Sequence, residues 1–333
     1  VTANDSPTQV RAEGAQAPRT AVSVPTGAAA DPRPARRSPR LRPGRLREYL
    51  IFLAFIAPNF ILLAVFSFWP VIYNAYLSLT DWNMISPVRR FVGLDNYVDL
   101  FTGSEFREVL LNTVYFMGVV VFGSLALGLA VALLLNQRLR GRTAVRTMVF
   151  APHVLSGAAI GVAWIFIFDP NYGLSRVFFE AIGKSSPAWL TDSDWALPAV
   201  IIVYLWKSVG FAAIVYLAGL QGMPKDLYES AALDGARGWT LFRRITLPLL
   251  SPVTYFLMIT TIISSFQAFD VIAAMTGGGP GEATTILSWY VYDKGFKDFQ
   301  AGPAGAGAVV MFLVLLAVTL FQTRYVERKV HYR

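Results

Sequence analysis

An all-α, polytopic membrane protein of about six spanning helices is the fold class this sequence predicts, and three observations lead there. The 333 residues are 55% hydrophobic and only 15% charged, with a mean hydropathy of +0.49, a balance foreign to ordinary water-soluble domains. Apolar runs long enough to cross about 30 Å of hydrocarbon, roughly 20 residues at 1.5 Å each, recur six times along the chain. The basic residues sit between those runs, so the formal net charge of +8 reads as membrane orientation rather than as a nucleic-acid-binding face.

Residues 1–45 are rich in Ala, Pro, Arg, Ser and Thr with no apolar periodicity. They cannot bury enough surface to offset ordering entropy, so a disordered basic tail is expected, held at the cytoplasmic face beside anionic lipid. Residues 46–333 form the membrane domain. Its expected spans are 49–77, 109–135, 148–168, 196–220, 252–275 and 305–321, with Pro58 and Pro70 placed to kink or end the first. With the N-terminus inside, 21 of the 29 Lys and Arg residues fall on the cytoplasmic side and 7 outside, with Lys207 within a span. Both termini are therefore expected in the cytoplasm, and Trp69, Trp82, Trp189 and Trp195 near the outer interface.

Catalytic chemistry finds little support. There are no cysteines and only two histidines, His153 and His331, which excludes thiolate sites and leaves no credible metal cluster or triad. The glycine-rich stretch 276–280 follows a span and lacks the Lys-Ser or Lys-Thr ending of a nucleotide cradle. It reads as a flexible outer turn, placed to touch an extracytoplasmic partner.

Polar groups inside the apolar runs are costly and mark a cavity, a partner or a helix contact. Asn112, Gln267, Asp270 and Lys207 are the candidates. Gln267 and Asp270 are three apart and share a helical face that Ser264 extends. With Phe266 beside it, that face suits a hydroxyl-bearing solute. The same face serves equally as a hydrogen-bonded helix-to-helix seam. Lys207 is expected to snorkel or pair.

The connection 221–248 is too long and too patterned for a turn. Pro224 can open a short helix, Asp226 and Glu229 favour its N-terminal end, and Gly235 can close it in a left-handed conformation. Ala231 and Ala232 let another surface approach closely. From Gly238 a second segment follows, whose Trp239, Phe242 and Ile245 are expected to pack back on the bundle before Pro248 breaks it.

In residue and spacing, Glu229, Ala231, Asp234, Gly235, Ala236, Phe242, Ile245, Leu247 and Pro248 resemble the Glu-Ala-Ala loop of permeases in binding-protein-dependent ATP-binding-cassette importers, with Ser230 where that family usually has Ala. Residues 91–97, Asn112-Thr113, residues 151–153, and Phe269-Asp270 leading to 276–280 are similar to the first permease subunit of the carbohydrate-uptake branch. Residues 324–332 are similar to the corresponding subunit of glycerol-3-phosphate importers. The resemblance implies a type I importer permease in the bacterial inner membrane, with a coupling helix that docks on an ATPase through Glu229, Ser230, Ala231, Asp234, Gly235, Ala236, Phe242 and Pro248. It implies as partners a homologous second permease, two ATP-binding-cassette ATPase subunits and a solute-binding protein; composition and charge placement add membrane lipid and no nucleic acid. No cofactor is expected on this chain; ATP and Mg belong to the ATPase. Importing a sugar or sugar-like solute by alternating access is the expected function, with glycerol-3-phosphate or a glycerophosphodiester as the alternative cargo and an ion-coupled carrier or channel as the alternative class. The scarcity of cations in the spans favours a neutral sugar over a phosphate.

Overall fold

The computed structural model describes residues 43–137 and 141–326. The described chain divides into two units between Phe60 and Ile61, inside its first helix, and each is taken by itself. The expectations for residues 1–42, for Arg138 and Arg140, and for residues 327–333 lie outside the described residues.

The first unit is helical from Pro43. Helix α1 (Pro43–Leu63) begins just ahead of the expected boundary at residue 45, and Pro58 lies within it without ending it. In the second unit the helix runs through a π-helical turn, Ala64–Phe68, into α2 (Trp69–Leu77). Pro70 has no N–H to give back along the helix, and the wider turn before it absorbs that loss. The apolar helix Glu48–Leu77 is thus one span of 30 residues.

A two-strand antiparallel ribbon, β1 (Thr80–Asp81) and β2 (Arg90–Phe91), pairs Thr80 with Phe91. Asn96, in α3 (Asp95–Thr102), ties it down by donating to the carbonyls of Ser78 and Thr80 at 2.8 and 3.0 Å. Helix α4 (Ser104–Leu135) is the second span and carries Glu105 in its first turn, where a carboxylate suits the helix dipole.

The expected third span, 148–168, is not one helix. Its residues belong to α5 (Arg142–Val154) and α6 (Gly157–Phe168), which meet at 103°. Leu155 and Ser156 between them are extended, with ψ of 149° and 131°, and an extended pair cannot carry the helical hydrogen-bond ladder. After α7 (Leu174–Ala181) comes α8 (Ser193–Gln221), capped by the Asp192 carboxylate accepting from the Asp194 N–H at 2.9 Å.

Next come α9 (Lys225–Leu233), α10 (Trp239–Leu241), a π turn Phe242–Thr246 and α11 (Leu247–Leu249), then α12 (Ser251–Phe266) after a 63° bend. The expected fifth span also breaks: α12 stops at Phe266, and α13 (Phe269–Met275) starts afresh. Helix α14 (Leu287–Tyr292), a π turn Asp293–Lys297, α15 (Ala301–Phe321) and a π turn Gln322–Val326 complete the described chain. Among the described residues four helices are long and apolar enough to cross a membrane, or six spans if each bent pair counts as one.

Helices α4 and α8 form the central pair. Gly128 lies directly against Ala212, and Phe116 meets Tyr204 edge to face at 5.3 Å, so the two backbones approach as small residues allow in a bundle without water. Gly210 of α8 faces the Val149 carbonyl of α5, where any Cβ would overlap it. Large apolar side chains such as Phe122 (75% exposed) and Phe166 (72% exposed) face outward, which suits lipid and not water. Trp189 is 7% exposed and stacks on Phe168 at 4.9 Å.

Lys294, in the π turn after α14, reaches Glu105 in the first turn of α4 at 3.0 Å and Asp298 at 3.4 Å. Burial works to lower the Lys294 pKa, but the hydrogen bond and charge of Glu105, with Tyr290 and Asp298, outweigh it and leave the ammonium raised. Burial, aided by Glu105, pushes the neighbouring Tyr290 hydroxyl up to about 12.

Candidate functional site

A cavity of about 320 Å³ opens among α5, α8, α12 and the start of α13. The α8 wall is a helical stripe, Tyr204, Lys207, Ser208 and Phe211, at spacing i, i+3, i+4 and i+7. The facing wall is Thr260, Thr261 and Ser264 of α12, then Gln267 at the break and Asp270 in the first turn of α13. His153 closes one side, its ring stacked on Phe211 at 4.8 Å.

The broken fifth span builds this wall. Gln267 and Asp270 do not share one continuous helix, as spacing alone suggested, because Gln267 and Ala268 leave helical geometry between them. The break nevertheless turns both side chains to the cavity. Tyr204 donates to the Ser264 carbonyl at 2.6 Å, which also accepts the Gln267 N–H at 3.0 Å at the end of α12.

Lys207 and Asp270 form an ion pair, Nζ to Oδ2 at 3.3 Å, with side chains 18% and 41% exposed. The other Asp270 oxygen accepts from the Val271 N–H at 2.9 Å. The carboxylate is seated against Gly157 at the start of α6, where a Cβ would overlap Oδ2. Pairing is thus the role Lys207 takes, and Asp270 joins α8, α6 and α13 at one point.

Two expected path residues lie elsewhere. Phe266 is 2% exposed and packs with Phe106, Leu287 and Val310 in the core, because the last turn of α12 directs it away from the wall that Ser264 and Gln267 form. Asn112 donates to the carbonyls of Glu282 and Thr285 at 2.9 and 3.3 Å, fastening the glycine-rich loop instead of lining the cavity. That loop is not the loose turn expected. Thr276 and Thr284 share a 2.7 Å hydroxyl contact, Thr284 and Thr285 donate to the Gly279 and Gly278 carbonyls, and Gly278, at φ 89°, lies against the Trp289 indole.

Tyr204, Ser208, Phe211, Thr260 and Thr261 were not singled out from the sequence. The available signal was the polar stripe on each otherwise apolar helix, with members three, four or seven residues apart. His153 is a cavity residue although it belongs to no cluster. Among the described residues no three His, Asp or Glu side chains gather as a metal-holding group.

The second candidate feature is the turn after α9. Asp234 is its C-cap, Gly235 takes φ 80°, the Gly235 N–H donates to Ala232 O at 3.1 Å and the Ala236 N–H to Ala231 O at 2.9 Å. This pair of bonds is the Schellman closure, which requires a left-handed residue that glycine adopts without strain. Pro224 stands at the N-cap, one residue ahead of the helix. Tyr228 links α9 back to the bundle, its hydroxyl 3.1 Å from Thr246 Oγ1 and 2.9 Å from Met223 Sδ.

Ala231 is buried, while Glu229, Ser230, Asp234 and Gly235 are exposed and Ala236 is half-buried. Leu233 is 90% exposed. Phe242, Ile245 and Pro248 are half-buried, but Trp239 stays out at 70% exposure and covers only the Phe242 ring, 5.3 Å away. Two large apolar groups at the tip of a capped short helix make a surface suited to a protein partner.

Residues 124–332 match the protein family described as binding-protein-dependent transport system inner membrane component. The sn-glycerol-3-phosphate transport system permease protein UgpA of Agrobacterium fabrum is 34% identical over 293 residues, spanning 87% of this chain and 98% of its own. Its namesake from Yersinia pestis is 34% identical over 295 residues, spanning 88% and 99%. Among solved structures, a chain of a bacterial ABC transporter involved in the import of the acidic polysaccharide alginate superposes with a TM-score of 0.74 at 27% identity, covering 86% of this chain and 97% of that one.

Proposed function

The chain belongs to the family of inner-membrane components of binding-protein-dependent transport systems, and from that premise we propose that it forms half of the membrane pore of an ATP-driven importer for a sugar or sugar-like solute. It is a multi-pass transport subunit and not an enzyme. The observation that carries the solute class is the polar cavity of Tyr204, Lys207, Ser264, Gln267 and Asp270 inside an otherwise apolar bundle, built where α12 gives way to α13 and beside the end of α5. Broken helices at a polar cavity are a recurrent way of presenting groups to a hydrophilic solute within a membrane.

The family supports a reading of the rest of the machine. A homologous second permease completes the pore, two ATPase subunits carrying ATP and Mg bind below, and a solute-binding protein delivers cargo from outside. Charge bias puts both termini and the 221–248 connection in the cytoplasm. There α9 acts as the coupling helix, with Glu229, Ser230, Ala231, Asp234, Gly235, Ala236, Phe242 and Pro248 shaping the docking elbow. ATPase closure moves α9, and the rigid closure at Gly235 passes that movement to α12 through the Phe242–Thr246 turn. An ion-coupled carrier or channel is not favoured, since the family draws on a binding protein.

The names of the relatives favour a second cargo, glycerol-3-phosphate. Against it stands Lys207, which already carries the Asp270 carboxylate. The deciding experiment reconstitutes the chain with its second permease, ATPase and binding protein in proteoliposomes and follows labelled sugars and glycerol-3-phosphate. ATP-dependent sugar uptake is expected; uptake driven by an ion gradient without ATP overturns the reading.

A further inference from the structure

We propose that the Lys207–Asp270 pair sets the charge class of the solute: it offers a donor and an acceptor side by side with no net charge, admitting a neutral, hydroxyl-rich solute and turning away an anion. The inference rests on the import reading above and deepens it from a sugar-like solute to a neutral one.

Asp270 is the more open member of the pair, 41% exposed to 18% for Lys207. Its two oxygens offer about four lone-pair sites, of which Lys207 and the Val271 N–H take one each. The ammonium gives one of its three N–H groups to Asp270. A vicinal diol matches what is left: one hydroxyl donates to the carboxylate while its neighbour accepts from the ammonium. Gln267 and Ser264 extend the same wall with an amide and a hydroxyl. The volume of about 320 Å³ lies at the small end of ligand cavities, as a monosaccharide unit requires.

An anion meets the opposite arrangement. To reach Lys207 it must displace Asp270 or lie beside it, and either outcome leaves two negative groups close together in a poorly screened cavity. Asp270 is not free to withdraw, because Val271 holds one oxygen and Gly157 of α6 gives the carboxylate a fitted seat. Among the lining residues the only other base is His153, and an ordinary imidazole is mostly neutral at pH 7. No second cation is there to receive a phosphate or uronate.

The test uses the assembled importer in detergent without its binding protein, so that upstream selection is not read. Equilibrium dialysis measures retention of labelled glucose and maltose against glucose 6-phosphate and sn-glycerol 3-phosphate. The wild type is expected to retain at least one neutral sugar and to exclude both phosphates. Asp270→Asn keeps the shape, removes the negative charge, and raises phosphate retention about tenfold or more. Should that variant fail to assemble, Lys207→Met is read instead; it lowers neutral retention several-fold while phosphates stay excluded. Retention of either phosphate by the wild type, retention of none of the four probes, or unchanged retention in an assembled variant overturns the proposal. ATP-dependent sugar uptake in proteoliposomes that persists alongside such a failure sinks only the charge-class claim; loss of all ATP-dependent uptake by the wild type sinks the import reading itself.

Discussion

Tyr204 gives its hydroxyl to the main-chain carbonyl of Ser264 across 2.6 Å, joining the middle of one long helix to the frayed end of another. Replacing Tyr204 with Phe removes that tie without changing ring packing on Phe116. The expected loss is about 1 kcal/mol, because water in the polar cavity can take over the carbonyl. A thermal-shift measurement on the purified complex, lowered by a few degrees, checks it; an unchanged midpoint would show that the tie holds nothing.

Gly210 and Gly118 make opposite predictions from one substitution type. A side chain at Gly210 overlaps the Val149 backbone, whereas nothing lies within 4 Å of a Cβ at Gly118. Gly210→Val is expected to cost about 3 kcal/mol or more through forced separation of α5 and α8, read as lost yield of folded protein. Gly118→Ala should leave yield intact and add up to about 1 kcal/mol of helix stability.

Gly235 needs its positive φ of 80° for the closure of α9. Gly235→Asp, and separately Asp234→Lys, are expected to abolish ATP-driven uptake while membrane insertion stays normal. ATP hydrolysis that still responds normally to loaded binding protein in either variant would remove the coupling role from α9. Weaker recovery of the ATPase with solubilised membranes would support docking there.

Gln267→Ala takes an amide from the cavity wall at the helix break. Uptake with at least a several-fold higher half-saturation concentration is expected under the proposal that this amide meets solute hydroxyls. Identical affinity and rate in vesicles would exclude Gln267 from the solute route.

Lys294, which lies outside the spans, bridges Glu105 at the start of α4 and Asp298, and its pKa is raised in the folded chain. A raised base contributes stability that is fully present below its ordinary value of 10.5 and disappears as pH climbs through the higher folded value. Stability from this pair should therefore be flat between about pH 6 and 9. Lys294→Met should cost under about 1 kcal/mol, because Glu105 is 43% exposed and solvent screens the pair.

Composition and residue order by themselves determined that lipid is the solvent, that six apolar runs lie between basic connections, and that residues 225–235 form a short helix closed by glycine. Each of these depends on local properties, namely transfer of apolar side chains, charge beside a membrane and left-handed freedom at Gly235, and local properties are written residue by residue. What only tertiary structure decided is where the spans break. Residues 148–168 and 252–275 are apolar enough to read as single helices; Pro152 and the Ser156-Gly157 pair are a local hint of the first break, whereas Gln267 and Ala268 carry no such mark. Those breaks bring Gly157, Lys207 and Asp270 together from three separate helices, and they send Phe266 into the core while Gln267 faces the cavity. Tyr204 reaches Ser264 at the end of α12 and Lys207 reaches Asp270 at the start of α13, and such ties across the break exist only once distant parts of the chain have packed.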